Sequence, residues 1–120
     1  MSDDERPLFR QVTEHLESAI LAGTLAEHAQ VPSTNELAAF HRINPATALK
    51  GVSALVADGI LYKKRGIGMF VSAGAPALLR QRRRAEFARQ YVEPLVAEAR
   101  RLGIHPDELT SLVQSVAVRA

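Results

Sequence analysis

The 120-residue chain contains no cysteine, which removes disulfides, zinc ribbons and thiol chemistry together. It has no apolar run near the ~20 residues that a membrane-spanning helix needs. Its start, Ser2-Asp3-Asp4-Glu5, is acidic and is followed by no apolar stretch of the signal-peptide kind. We therefore expect a cytoplasmic protein with no membrane attachment. Catalytic patterns are also missing. Gly66-Ile67-Gly68 lacks the third glycine of a dinucleotide fingerprint and follows no βα crossover. No serine occupies a nucleophile elbow, and His15, His28, His41 and His105 are scattered at spacings that suggest no metal site. An enzyme is the remote reading, and no cofactor is implied.

What is present is 47% apolar content, enough at this length for one modest core with an appendage. The net charge of +2 conceals a strong asymmetry. Residues 1–41 carry −5, residues 42–84 carry +8 and residues 85–120 carry −1. A basic interior block suggests a polyanionic partner, nucleic acid first, with a solvated basic surface as the plain alternative.

Periodicity predicts three helices and a hairpin. Pro7 suits a first helical turn, and Phe9, Val12, Leu16, Ala19 and Ile20 follow at spacings of three and four. Gly23 ends that helix, Leu25 folds back to the core, and His15 reads as a surface or boundary residue. Ser33 can cap a short second helix, with Leu37, Ala38 and Phe40 as its apolar face. Asn44-Pro45 reads as the cap and first residue of a third helix that stops at Gly59. Its inward face is Ala48, Val52, Leu55 and Val56. Ala46, Lys50, Ser53 and Ala57 face outward, with Thr47 and Ala54 at the edge. Gly51 lies inside this helix at a cost of ~1 kcal/mol relative to alanine, which close approach to the second helix would explain. Two β-prone runs, Ile60 to Lys64 and Met69 to Val71, flank the turn Arg65-Gly66-Ile67-Gly68. This is the order of a winged helix-turn-helix.

Beyond Ala73-Gly74-Ala75-Pro76 the pattern changes. Phe87, Tyr91, Leu95 and Leu102 share one stripe of a long helical segment, which Pro94 is expected to kink or break. Gly103 ends it, and His105-Pro106-Asp107-Glu108 opens a last helix with Leu109, Leu112, Val113 and Val116 on its apolar face. The fold class is thus mainly α with a small β-hairpin. Residues 1–72 form a winged helix-turn-helix domain, and residues 73–120 form a two-helix dimerisation tail. Two amphipathic helices with little else to cover them are expected to find a partner chain.

Major-groove recognition needs a protruding helix held by phosphate contacts around it. The third helix suits this because its outward face is small and polar. Thr47 can hydrogen-bond a base or a phosphate, and its methyl or that of Ala46 can meet a thymine methyl. Lys50 can reach a guanine or a phosphate, or be an ordinary exposed residue. Lys63, Lys64 and Arg65 concentrate charge at a turn where Gly66 and Gly68 let backbone N–H groups approach phosphates; a solvated hairpin tip is the alternative. Ser33 can offer its hydroxyl and helix N-terminus to a phosphate while also serving as a cap. Arg80, Arg82, Arg83 and Arg84 spread around most of a helix, leaving open phosphate contact or a solvated surface. Phe87 and Tyr91 read as core or dimer seam.

Taken in order, Pro7-Leu8-Phe9-Arg10-Gln11-Val12, Pro32-Ser33 with Glu36-Leu37-Ala38, Ile43-Asn44-Pro45-Ala46-Thr47, Leu55, Gly59-Ile60-Leu61 and Gly66-Ile67-Gly68-Met69-Phe70-Val71 resemble the GntR family of bacterial transcription regulators. The short two-helix tail resembles its YtrA-like subfamily, which lacks a large effector domain. The resemblance implies a homodimeric repressor-type protein bound to a pseudo-palindromic DNA operator, in a subfamily often linked to transporter operons. The candidate DNA-contacting residues are Ser33, Thr34, Asn35, Asn44, Ala46, Thr47, Lys50, Lys63, Lys64, Arg65, Gly66 and Gly68. The candidate dimer residues are Phe87, Tyr91, Leu95, Leu102, Leu109, Leu112, Val113 and Val116.

Departures from the family pattern bear on the operator. Asn35 stands where an arginine is common, Pro45 where other branches carry arginine, Met69 at the wing threonine, and Gly51 at a position usually small or aliphatic. The operators of better-known branches therefore do not transfer. A small-molecule effector is left open, since no convergent polar set marks a pocket. The competing class is a winged helix used as a protein-interaction module, which would not need the basic Lys63-Lys64-Arg65 wing.

Overall fold

The computed structural model describes residues 7–120, so the acidic Ser2-Asp3-Asp4-Glu5 start lies outside the described residues. Helix α1 spans Phe9–Ala22, and Gly23 closes it in the left-handed region at φ 84°. Its Val12, Leu16 and Ile20 are buried, as the three-and-four spacing requires. Helix α2 (Thr34–His41) starts at a capping box in which Ser33 Oγ accepts from Glu36 N–H at 3.1 Å. Glu36 Oε1 accepts from Ser33 N–H at 2.8 Å in return. Leu37 and Ala38 are its buried residues, but Phe40 is 71% exposed. The expected place of Phe40 on the core face is corrected: it stacks on His15 of α1, ring centroids 5.0 Å apart.

Arg42 makes the sharp turn into helix α3 (Pro45–Ala57), adopting φ 56° and ψ 48°. Ile43 N–H bonds to Ala38 O at 3.0 Å across this turn, closing the end of α2. Asn44 caps α3, its Oδ1 accepting from Ala46 N–H at 2.7 Å. Ala48, Gly51, Val52 and Leu55 of α3 are buried. At Gly51 the neighbour is α1, not the expected α2. A Cβ there would lie 2.9 Å from Phe9 O and 3.0 Å from Val12 Cβ, so only glycine lets the two helices come this close.

Strands β1 (Leu61–Lys64) and β2 (Gly68–Val71) form the hairpin, with Tyr62 opposite Phe70 and Lys64 opposite Gly68. The free edge of β2 meets the segment before α2. Gln30 bridges Phe70, Val31 N–H bonds to Met69 O at 2.9 Å and Val71 N–H to Ala29 O at 3.0 Å. No alternation of side chains announces this third short pairing. The hairpin, α1, α2 and α3 enclose a core that includes Leu16, Leu37, Val52, Leu55, Ile60 and Val71. Ala75 and Leu79, from the first turns of helix α4 (Ala75–Phe87), are buried in the same core.

The chain divides into two compact units, one ending at Gln81 and one formed by Arg82–Ala120. In the second, the backbone stays helical from the end of α4 through a π-helical turn at Ala88–Val92 into helix α5 (Glu93–Arg101). Glu93 N–H reaches back five residues to Ala88 O. This turn answers Pro94: a proline ring clashes with the carbonyl four residues back, and a wider turn relieves that clash without ending the helix. Helix α6 (Pro106–Arg119) starts at His105, whose Nδ1 accepts from Asp107 N–H at 3.2 Å. No helix of the described residues is long and apolar enough to cross a membrane.

Candidate nucleic-acid interface

The outward face of α3 carries Ala46, Lys50, Ser53 and Ala57 exposed, with Thr47 half-buried on its flank. Small side chains on either side of Lys50 leave the helix backbone open to close approach. Lys50 itself does not extend into solvent at random. Its Nζ stands 4.7 Å from the centroid of the Phe9 ring, within the range of a cation–π contact. Asn44 uses Oδ1 for the cap, and its amide N–H groups are free in chemistry to donate.

The wing presents Lys63, Lys64, Arg65, Gly66 and Ile67, all exposed. Lys64 C=O accepts from Ile67 N–H at 2.9 Å to close the turn. Gln30 then ties the tip down, its Nε2 donating to Ile67 O at 3.0 Å. Gly68 is required beneath that bond: at φ 148° it stands where a Cβ would meet Gln30 Nε2 at 2.6 Å. Lys64 repeats the arrangement of Lys50, with Nζ 4.5 Å from the centroid of Phe70. Phe70 stacks on Tyr62 at 5.7 Å, and the Tyr62 hydroxyl lies 2.9 Å from His28 Nδ1.

At the start of α2, Ser33, Asn35 and Glu36 are exposed and Thr34 is half-buried. Hydrogen bonds from Ser33, its backbone N–H first, hold the Glu36 carboxyl below the usual carboxylate range. A carboxylate therefore sits on this helix N-terminus. Ser33 Oγ is an acceptor in the cap and keeps its own proton to donate.

All twelve candidate DNA-contacting residues belong to the first compact unit, and Thr34 and Thr47 are among the less exposed of them. Strand β1 follows directly from α3, joined by Ile60 N–H to Leu55 O at 2.9 Å. Sequence reasoning missed Phe9, Phe70 and Gln30, which contact the candidate cations or the wing backbone. The interleaving of aromatic and basic residues in Tyr62-Lys63-Lys64 and Met69-Phe70 was the available signal for Phe70. None existed for Phe9 and Lys50, which are 41 positions apart.

In the second unit the candidate dimer residues Phe87, Tyr91, Leu95, Leu102, Leu112, Val113 and Val116 are exposed, and Leu109 is half-buried. Helices α5 and α6 flank a groove of about 440 Å³, lined by Leu95, Ala99, Leu102, Ile104, Leu112 and Val116 among others. The exposed side chains and the groove form a contiguous apolar surface among the described residues. Arg80, Arg83 and Arg84 are exposed on α4 and Arg82 is half-buried.

Comparison with known proteins agrees with this architecture. The model of the family described as bacterial regulatory proteins, gntR family, matches residues 8–71. The chain is 24% identical over 111 residues to the HTH-type transcriptional repressor YtrA of Bacillus subtilis, covering 92% of this chain and 85% of that protein. A crystal structure of a putative GntR-family transcriptional regulator from Bacteroides thetaiotaomicron is similar with TM-score 0.78 and 28% identity, over 92% of this chain and 96% of the other. The DNA-binding domain of AraR, solved in complex with operator ORX1, is similar with TM-score 0.56 and 32% identity, over 60% of this chain and 87% of that one.

Proposed function

The chain belongs to the gntR family of bacterial regulatory proteins, and from that premise we propose that it is a cytoplasmic, homodimeric repressor that binds a pseudo-palindromic operator. Helix α3 reads bases in the major groove through Lys50 and Thr47, with Ala46 against thymine methyls. Lys63, Lys64 and Arg65 with the Gly66 and Gly68 backbone hold phosphates. Ser33, Thr34, Asn35 and Asn44 add contacts from the flanking helix starts. Residues 1–72, with the first turns of α4 packed into their core, serve as the DNA-binding domain, and the remainder of residues 73–120 as the dimerisation segment. The protein works by binding, without catalysis or cofactor. A transporter operon is the proposed target.

The observation that carries this reading is the pairing in one compact unit of a small-residue helix face centred on Lys50 with a wing bearing three adjacent cations. Similarity to YtrA over most of both chains supports the repressor role, and similarity to the operator-bound AraR domain supports DNA as the partner. Selection of binding sites from random duplex DNA tests it. The expected product is a two-fold symmetric consensus, protected as two half-sites in footprinting upstream of a promoter. Recovery of no consensus would leave a winged helix that contacts protein.

A further inference from the structure

Two of the cations assigned to DNA rest on phenylalanine rings, Lys50 on Phe9 at 4.7 Å and Lys64 on Phe70 at 4.5 Å. Resting on the DNA-binding reading above, we infer that Phe9 and Phe70 are positioning residues: each ring fixes the ammonium of its lysine before DNA arrives, Phe9 for base readout and Phe70 for phosphate contact. The physical need is clear. A free lysine has a four-carbon stem and loses ~2 kcal/mol of rotamer freedom when it is pinned. A side chain already held in place loses less on binding.

A ring is suited to this task in a way a carboxylate is not. It attracts the cation without neutralising it, so the full charge remains for a base edge or phosphate. The ammonium has three donors, and one directed at a ring leaves two for DNA. The surroundings bring the Phe9 backbone up to α3 and hold the Phe70 ring. Gly51, beside Lys50, is what admits the α1 backbone at Phe9 so close to α3. Phe70 is stacked on Tyr62, which is hydrogen-bonded to His28, and its backbone is bridged by Gln30. The same device appears once on the recognition helix and once on the wing.

The test uses the full chain and a duplex recovered by selection from random DNA, beside a scrambled duplex of equal composition. Fluorescence anisotropy gives both affinities for the parent, Phe9→Leu, Phe9→Trp, Lys50→Met and the Phe9→Leu/Lys50→Met double variant. Phe9→Leu should lower the ratio of selected to scrambled affinity about two- to fivefold, the equivalent of one exposed cation–π contact. Phe9→Trp should keep the ratio, and Phe9→Leu should change nothing further once Lys50 is methionine. In the free protein, the Lys50 Cε protons should show an upfield ring-current shift that Phe9→Leu abolishes; this holds even if that variant is less stable. Equal effects of Phe9→Leu with and without Lys50, or unshifted Lys50 protons, overturn the positioning role alone. A ratio unchanged by Lys50→Met overturns the base-reading role of Lys50 and, with it, this inference.

Discussion

Nδ1 of His15 lies 2.9 Å from Nε2 of His41, a hydrogen bond that joins α1 to α2. Phe40 completes the cluster, stacking on His15 and meeting His41 edge-on with centroids 5.0 Å apart in both cases. One imidazole must donate and the other accept, so the hydrogen bond cannot persist with both rings charged. Burial, and then the neighbouring His15, lower the pKa of His41 from its ordinary value.

That shift fixes a direction for stability against pH. The folded state takes up the His41 proton less readily than the unfolded chain, whose histidine titrates near 6.5. As pH falls through that region the unfolded state binds more protons, and stability is lost. Thermal melts between pH 7.5 and 5.5 should therefore show Tm falling more steeply for the parent than for His41→Gln, which keeps a neutral donor. Parallel curves would mean that the histidine pair does not couple protonation to folding.

Gly51→Ala should destabilise the protein although it improves helix propensity. Alanine gains ~1 kcal/mol over glycine in a helix interior, but its Cβ would sit 2.9 Å from a backbone oxygen, Phe9 O, which cannot rotate away. Overpacking of this kind costs ~1–3 kcal/mol. We expect Tm to fall by several degrees, since about 1 kcal/mol shifts a domain of this size by roughly 4–8 °C. A Tm at or above the parent value would show that α1 and α3 separate at little cost.

Signals local in the chain made much of this fold legible. Ser33, Asn44-Pro45 and His105-Pro106 mark helix starts by chemistry confined to a few residues, and all three stand as caps. The spacing of Val12, Leu16 and Ile20 likewise foretells one buried face. Contacts between distant segments were not legible. Gln30 and Ile67 are 37 residues apart and His15 and His41 are 26 apart, and no period or cap encodes such meetings. Phe40 misled because α2 has only eight residues. At ~100° per residue Phe40 lies about 200° from Ala38, so a core contact centred on Leu37 and Ala38 leaves it outside. At Pro94 the rule that proline disturbs a helix was sound, but the choice among kink, break and wide turn depends on the backbone ahead of it.

The two kinds of DNA contact should separate by salt and by sequence. Lys63→Ala and Arg65→Ala should weaken binding to every duplex alike, each reducing the slope of log K against log salt by ~0.9 if one phosphate contact is lost. Thr47→Ala and Lys50→Ala should instead erode preference for the selected site, by ~1–3 kcal/mol for each good base contact. Titrations at several salt concentrations measure both quantities. If all four variants bound like the parent, these faces would not be the ones that meet DNA.

Dimerisation should depend on the apolar side chains that α5 and α6 leave uncovered. Leu95 and Val113 are both roughly half exposed and both line the groove in the second unit, and in the proposed homodimer a second copy of the chain covers them. The parent should sediment at twice the 13.1 kDa chain mass, and Leu95→Glu or Val113→Glu should sediment as a monomer with an unchanged helical circular-dichroism signal. Because two linked half-site contacts exceed either alone by roughly 10²–10⁴, a monomer should lose most of its affinity for the full operator. It should keep the parent's affinity for an isolated half-site, since no DNA-facing residue has changed. Loss on both duplexes would place these residues in the folding of the DNA-binding unit, and loss on neither would show that the operator is bound by single chains.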